Sequence, residues 1–316
     1  MLKENTLNII KKGAIWFVLL ALLTFFSIAN PRFLSMNNFF TVARQVSMYG
    51  IASIGMTFVI LIAGIDLSTG SIITIVNVVC AYLMVNAGFG MIPAALTSIL
   101  LATAIGLLNG FLVSTIGIPA IIATFATQTI FAGISYLICG GVPIYGFDPR
   151  FKVLGQGYLG PIPIPVLVMI ACFIVGAFIL NKTYFGRYFY AVGGNEEAAE
   201  LSGIKVGRVK YLIYAFSGLF AGLAGVVMLS RLNSAQPTAG LGYEFDVITC
   251  VVLGGVSISG GYGKISGVVA GVLIIGVLTN GMVLLNISNY TQMVVKGLVL
   301  IMSVGFDAFQ KKKVIV

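Results

Sequence analysis

The chain has 316 residues, of which 59% are hydrophobic and 9% are charged, and its formal net charge is +9. Soluble domains are typically about 45–50% apolar and about 25% charged, so the composition excludes a soluble globular protein. The apolar runs are continuous and close to the ~20 residues that a spanning helix needs, whereas a barrel would alternate in shorter segments. The sequence therefore predicts an all-α polytopic membrane protein embedded in a lipid bilayer.

The positive charge and the lack of histidine narrow the function further. We interpret the lysines and arginines as cytoplasmic topology signals rather than as a nucleic-acid surface. The chain has no histidine, which excludes histidine-based metal sites, catalytic triads and proton relays. It also lacks a Walker-type phosphate loop, so we expect no catalytic residues, no metal and no cofactor bound by this chain.

Ten hydrophobic segments are predicted to span the membrane as helices. Their ranges are 14–29, 46–63, 72–88, 92–113, 118–139, 164–181, 211–230, 245–259, 265–285 and 291–309. The region 245–285 can also be read as one long element. The first segment follows three lysines and ends at Ser27-Ile28-Ala29, so a cleaved signal peptide is an alternative to an uncleaved first helix.

The distribution of basic residues predicts the orientation of these segments. With both termini cytoplasmic, most lysines and arginines lie on the inner side, as expected for a protein of this class. Residues 182–210 then form the main cytoplasmic loop, and the Pro- and Gly-rich residues 140–163 form the largest outer loop, which we expect to be irregular. We expect residues 1–316 to form a single transmembrane domain.

Two similar glycine- and serine-containing stretches, Gly64–Ser71 and Gly254–Gly261, each end an apolar run. Such interruptions are a feature of broken helices around transport sites. Gly64, Asp66, Ser68 and Gly70 are therefore candidates for a helix break on a translocation path. For Asp66 three roles are open: capping the helix that starts near Ser71, lining a polar path, and proton coupling.

Polar residues inside other predicted spans are further candidates for the path. Thr124, Thr127 and Gln128 are three or four residues apart and share a helix face, and Asn109 lies in the preceding span. This stripe could line a sugar path, and hydrogen bonding between helices is the alternative.

The outer segment 231–246 carries one cation and two anions. A solvated turn is one interpretation, and a docking surface or outer gate is the other. The candidate gate residues are Gln236, Pro237, Glu244 and Asp246.

The cytoplasmic loop contains the signals of a short, capped helix at 196–202. Asn195 is a favourable N-cap, Glu196 and Glu197 suit the positive end of the helix, and Gly203 suits the position after its end. Ala198 and Ala199 give this helix a slim surface that can enter a groove. We expect it to bind a partner, with Gly193 and Gly194 at its entrance.

The segment Glu197-Ala198-Ala199-x-x-x-Gly203 resembles the signature by which permeases of ABC importers contact their ATPase subunits, although a distal Leu-Pro is missing. Gly64-Ile-Asp-Leu-Ser, Phe185-Gly-Arg-Tyr, Gly193-Gly-Asn, Ser234-Ala-Gln-Pro, Gly242-Tyr-Glu and Leu253-Gly-Gly occur in the same chain. Together they resemble the ribose-type family of monosaccharide ABC permeases, and most of all its ribose permeases.

This resemblance implies a ten-helix subunit that works as a dimer, most simply a homodimer, in a bacterial cytoplasmic membrane. It also implies two partners, a cytoplasmic ATPase with a fused double cassette, which uses ATP, and an extracytoplasmic sugar-binding protein. The predicted function is import of a monosaccharide, with ribose first among the sugars. The alternative is an ion-coupled secondary transporter of a small polar solute.

Overall fold

The computed structural model describes the backbone of residues 2–315 and the side chains of residues 15–309. Almost all regular structure in these ranges is helical, which confirms the all-α expectation. The helices are α1 (Leu2–Ala29), α2 (Met36–Leu61), α3 (Thr69–Val85), α4 (Met91–Ser114), α5 (Ala120–Cys139), α6 (Lys152–Gln156), α7 (Ile164–Lys182), α8 (Tyr184–Gly194), α9 (Glu196–Leu201), α10 (Val206–Leu232), α11 (Tyr243–Leu253), α12 (Ile265–Leu284) and α13 (Asn289–Ile315). Two 3-10 turns (Pro31–Leu34 and Pro149–Phe151) and an antiparallel hairpin of β1 (Tyr158–Leu159) and β2 (Ile162–Pro163) complete the fold.

Among the described residues, seven helices are long and apolar enough to cross a membrane, namely α2, α4, α5, α7, α10, α12 and residues 289–309 of α13. Residues 15–29 of α1 and all of α3 are shorter apolar helices, and α11 has only 11 residues. Each of the ten predicted segments overlaps one of these helices. The region 245–285 contains two helices, α11 and α12, rather than one long element.

The structure differs from the predicted elements in several places. Helix α2 begins at Met36, ahead of the apolar run, because Ser35 accepts a hydrogen bond from the Asn38 amide and starts the helix in polar sequence. The predicted outer loop, residues 140–163, is not wholly irregular, since it contains α6 and the hairpin. The predicted cytoplasmic loop, residues 182–210, contains a second helix, α8, which the sequence pattern did not predict.

The core of the molecule lies around α2 and α10. In the most apolar stretch of 18 residues of each helix, 89% of the α2 residues and 72% of the α10 residues are buried, against 6% for α13 and 22% for α5. Helix α10 packs against α2, α3 and α4, and α12 packs against α1, α2 and α11. The outer helices therefore present large apolar surfaces to lipid or to a partner.

Helices α4 and α10 approach each other through small residues. A Cβ placed on Gly218 would overlap the carbonyl of Ala102, and one placed on Gly106 would overlap the carbonyl of Tyr214. Glycine at these positions lets the two backbones touch, which stabilises helix pairs in lipid.

Candidate functional site

A first interruption of the helical backbone lies between α2 and α3. Helix α2 ends at Leu61 and α3 begins at Thr69, which confirms the helix break predicted within residues 64–71. Non-helical backbone in the interior of a membrane protein must be satisfied by protein groups, because lipid offers no hydrogen bonds. The amides of Ala63 and Gly64 donate back to carbonyls in the last turn of α2.

Asp66 lies at the centre of this break and is completely buried. Its Oδ1 accepts a hydrogen bond from the Ser68 amide at 3.0 Å. Its Oδ2 accepts one from Ser217 Oγ of α10 at 2.6 Å. The carboxylate thus binds the amide of Ser68, the residue before α3, and joins the break to α10, while Ser68 itself makes no side-chain cap bond to α3.

Hydrogen bonds extend from this break to α4 and α5. Asn109 Nδ2 donates to Ser68 Oγ at 2.8 Å, and Thr127 Oγ1 donates to Asn109 Oδ1 at 2.8 Å. The Leu67 amide donates to Thr124 Oγ1 at 3.1 Å. The structure therefore brings these predicted residues together through hydrogen bonds between helices.

A second irregular segment, residues 233–242, follows α10 and runs along α3. The Gln236 amide donates to Asn77 Oδ1 at 3.1 Å. The Gly240 amide donates to Thr74 Oγ1, one turn closer to the start of α3, at 2.9 Å. Side chains of α3 thus satisfy backbone groups of this segment. The segment ends next to Gly70 and continues into the first turn of α11.

Glu244 stands in that first turn and is only 2% exposed. Its Oε1 accepts a hydrogen bond from Gln128 Nε2 at 2.8 Å, and its carboxylate packs against Gly70, where a Cβ would overlap Oε2. Three residues predicted from separate patterns therefore meet at one place. They line a cleft of about 60 Å³ together with Ser71, Thr74, Ala132, Tyr136, Pro237, Thr238, Gly240 and Leu241.

Asp246 belongs to a separate cluster on the other side of α11. Its Oδ2 accepts hydrogen bonds from Lys296 Nζ of α13 at 2.7 Å and from the Tyr49 hydroxyl of α2 at 3.1 Å. The Tyr49 ring stacks on Tyr243 at 4.9 Å. Because Glu244 and Asp246 are both buried, the solvated-turn interpretation of this end of the segment is wrong.

Two partners in these clusters were missed by sequence reasoning. Lys296 is a lone cation inside a predicted span, and such a residue normally has a partner within the protein. Ser217 is a hydroxyl residue next to Gly218 in an otherwise apolar predicted span. The charge of Lys296 and the hydroxyl of Ser217, each inside a predicted span, were the signals that could have identified them.

In the predicted cytoplasmic loop, α9 has the predicted caps. Asn195 Oδ1 accepts a hydrogen bond from the Ala198 amide at 2.9 Å, and Gly203 follows the helix with a left-handed φ of 84°. The helix ends at Leu201, one residue before the predicted end. Its surface is acidic, and Leu201 is 90% exposed.

Helix α8 connects α9 to the membrane part of the molecule. Gly193 sits against the Leu61 carbonyl so closely that a Cβ would overlap it, while nothing lies within 4 Å of a Cβ placed on Gly194. The same Leu61 carbonyl accepts a hydrogen bond from the Gly261 amide at 2.9 Å. The end of α8 therefore touches both the end of α2 and the loop between α11 and α12.

Residues 38–304 match a family described as the permease component of the branched-chain amino acid transport system. The chain belongs to this permease family. The resemblance inferred from the motifs is confirmed, and the chain is a multi-pass membrane protein.

Curated relatives cover most of this permease. The ribose import permease protein of Bacillus subtilis (strain 168) is 45% identical over 283 residues, which are 89% of this chain and 88% of that protein. That of Haemophilus influenzae is 43% identical over 295 residues, covering 92% and 91%. The L-arabinose transport system permease protein of Escherichia coli (strain K12) is 40% identical over 282 residues, covering 89% and 86%. No solved structure matches the chain.

Proposed function

We propose that this permease is the membrane-spanning subunit of an ATP-driven importer of a monosaccharide, with ribose as the first candidate. The observation that carries the proposal is the 45% identity to a ribose import permease over 89% of the chain. The arabinose relative makes arabinose the next candidate. ATP is hydrolysed by a partner, so the chain itself is a transport subunit rather than an enzyme.

In the proposed assembly, two copies of the permease form the path in a bacterial inner membrane. Residues 1–316 act as one permease domain with ten membrane helices and cytoplasmic termini. A double-cassette ATPase binds from the cytoplasm, and a sugar-binding protein delivers substrate from outside. The exposed apolar faces of the outer helices, such as α5, support contact with a second copy as well as with lipid.

The coupling contact in this proposal is the segment from Gly193 to Gly203. Helix α9 presents Glu196, Glu197 and Ala198 on its exposed surface, with Ala199 turned inward. The exposed Leu201 gives the ATPase cleft an apolar anchor. Helix α8 is held in the bundle, because the Phe189 ring packs on Phe58 at 5.4 Å. Movement of α9 is therefore passed through α8 to Leu61.

The proposed path passes the two polar regions described above. The candidate residues of its inner region are Gly64, Asp66, Ser68, Asn109, Thr124 and Thr127. Those of its outer gate are Gln236, Pro237 and Glu244, together with Gly70 and Gln128, which meet Glu244 in the cleft, and Asp246 in its separate cluster. In the present conformation the inner network is closed, since Asp66 and Asn109 have no exposed surface. Opening requires α3 to move relative to α4, α5 and α10.

Two substitutions test the coupling contact. Glu197→Lys reverses a charge on the exposed face of α9, and Gly203→Val places a branched side chain at a left-handed φ of 84°. We expect both variants to insert normally, to lose sugar uptake and to co-purify with less ATPase. Asp148→Lys, on the outer loop, is the control for a charge reversal. ATPase recovered at the wild-type yield with both variants would contradict the docking role.

An ion-coupled secondary transporter is the second candidate, and Asp66 is the observation that favours it. The side chain is fully buried, and buried carboxylates often carry ion coupling in membranes. Its hydrogen bonds to Ser68 and Ser217 give it a structural role without any coupled ion. The ATP-driven importer is therefore preferred.

A further inference from the structure

We propose that Glu244 and Gln128 form a binding station for sugar hydroxyl groups, in the cleft between α3, α5 and the segment 233–242. This inference rests on the proposed function, because it assigns substrate recognition within the path of a sugar importer. It replaces the passive gate role of Glu244 with direct contact to the transported molecule.

The cleft has a polar interior and an aromatic rim. Glu244 lies inside and is 2% exposed, whereas Tyr136 and Leu241 at the rim are 46% and 79% exposed. Pockets that bind small molecules combine an apolar wall with a few convergent polar groups in this way. The exposed rim allows a solute to approach the buried carboxylate from the surface of the subunit.

One oxygen of this carboxylate is free to accept a hydrogen bond. Among the side chains that the structure describes, residues 15–309, Glu244 Oε2 is buried and has no hydrogen-bond partner. A buried acceptor without a donor is unfavourable, so a donor supplied by a ligand stabilises it. Sugar hydroxyl groups are such donors.

The two side chains also match the chemistry of neighbouring hydroxyl groups. The carboxylate of Glu244 only accepts hydrogen bonds, while the amide of Gln128 offers both a donor and an acceptor. A hydroxyl that donates to Glu244 can accept from Gln128 in place of the present bond between them, whose length is 2.8 Å. Binding of the neutral sugar thus breaks the one hydrogen bond between Gln128 and Glu244 and forms two or more between the sugar and these side chains.

The size of the cleft limits what one copy can hold. Its volume of about 60 Å³ has room for a few water molecules, which is less than a monosaccharide needs. One subunit therefore binds an edge of the sugar in the cleft, and the rest of the sugar lies outside the cleft at its exposed rim. Glycine at position 70 leaves room for the Glu244 carboxylate, since any side chain there would occupy the same space.

The test uses the complete complex of permease, ATPase and binding protein in proteoliposomes, with labelled ribose inside the binding protein. Glu244→Gln keeps the shape of the side chain and removes its charge. We expect ribose uptake to fall about tenfold, as for loss of a hydrogen bond to a charged group, while ATP hydrolysis stimulated by loaded binding protein stays within about twofold. Asp148→Asn, on the outer loop, is the matched control and leaves both rates unchanged.

The ratio of ribose transported to ATP hydrolysed decides the outcome. An unchanged ratio in Glu244→Gln overturns the binding station. Failure of the wild-type complex to take up ribose with ATP would instead overturn the proposed function, so the two failures are distinguishable.

A second measurement does not depend on the folding of the Glu244 variant. Thr238→Cys is introduced at the rim in a Cys139→Ser background and labelled with a water-soluble maleimide. We expect high concentrations of ribose to slow labelling relative to glycine betaine at equal osmolality, but not to slow labelling of Val142→Cys, which is 64% exposed on the outer loop. Equal labelling of Thr238→Cys in ribose and betaine contradicts the proposal.

Discussion

Two of the interruptions in this bundle, residues 62–68 and residues 254–264, overlap the similar stretches Gly64–Ser71 and Gly254–Gly261 but are held in different ways. The first is held by side chains, with Asp66 fully buried and bonded to Ser68 and Ser217. The second contains Gly255, Gly260 and Gly261 with left-handed φ values of 83°, 77° and 70°, and the half-buried Asp307 accepts hydrogen bonds from Ser257 Oγ and the Ile258 amide. We therefore interpret the first as a fixed polar joint and the second as a glycine hinge.

The two interruptions meet at one atom. The Leu61 carbonyl, at the end of α2, accepts a hydrogen bond from Gly261 in the second interruption and lies against Gly193 of α8. A displacement of α8 therefore reaches both of them at once. We expect the glycine hinge to move with α8, whereas the polar joint can move only after the hydrogen bonds of Asp66 to Ser68 and Ser217 break.

The largest expected effect is at the polar joint. Asp66→Ala leaves the Ser68 and Ser217 donors without an acceptor, which we expect to cost roughly 3 kcal/mol or more. The midpoint of thermal inactivation of the purified permease should fall strongly, and less for Asp66→Asn. Ser257→Ala removes a bond to Asp307 in the second interruption, which is 3.0 Å long, and should cost only about 1 kcal/mol. Equal losses for Asp66→Ala and Ser257→Ala would remove the distinction between joint and hinge.

Next in size is the contact between α8 and both interruptions. A Cβ on Gly193 collides with backbone, so Gly193→Ala should cost about 1–3 kcal/mol through displacement of α8. In the complex that contains Gly193→Ala, we expect the rate of ATP hydrolysis to be the same with and without sugar-loaded binding protein. Gly194→Ala is the control, since a Cβ there meets nothing within 4 Å. Identical behaviour of the two alanine variants would show that the tight fit is unimportant.

A smaller effect is expected where α13 is attached to α11. The side chains of Lys296 and Asp246 are 22% and 11% exposed, so loss of one partner should cost about 1–3 kcal/mol, less than for a fully buried pair. Lys296→Met should lower the midpoint of thermal inactivation. The double variant with Asp246→Asn should recover part of the loss, because it leaves no unpaired charge. A double variant less stable than either single one would contradict this pairing.

The smallest effect is expected at the cap of α9. Asn195→Ala removes the hydrogen bond to the Ala198 amide and should destabilise the helix by about 1 kcal/mol. We expect a several-fold weaker affinity for the ATPase in a titration, with unchanged stability of the membrane part. Asn195→Ser, which retains a capping oxygen, should bind nearly as the wild type does. A loss of affinity equal in both variants would argue against the capped helix as the contact.

Local patterns predicted much of this molecule. Long apolar runs placed the helices, the Gly64–Ser71 stretch predicted the first break, and the residues around Asn195 and Gly203 predicted both caps. Each of these features depends on neighbouring residues alone. Helix α8 was missed because it is short and carries Gly186 and Arg187, so neither its hydropathy nor its caps distinguish it from a loop.

Long-range contacts could not be predicted. Gln128 and Glu244 meet across 116 positions of sequence, and Ser217 reaches Asp66 across 151. Such pairs depend on how α3, α5, α10 and α11 pack, and packing in lipid is decided by close contact of small residues rather than by hydropathy. The sequence therefore predicted the candidate residues one by one. Which of them belong to the polar joint and which to the cleft could be seen only in the fold.

Uptake driven by ATP tests the proposed function most directly. Proteoliposomes containing the permease, its ATPase and sugar-loaded binding protein should accumulate labelled ribose when ATP is supplied on the ATPase side, and not with a non-hydrolysable analogue. Proteoliposomes containing the permease alone should take up none under a proton or sodium gradient. Gradient-driven uptake by the permease alone, without ATP, would contradict the account and favour a secondary transporter.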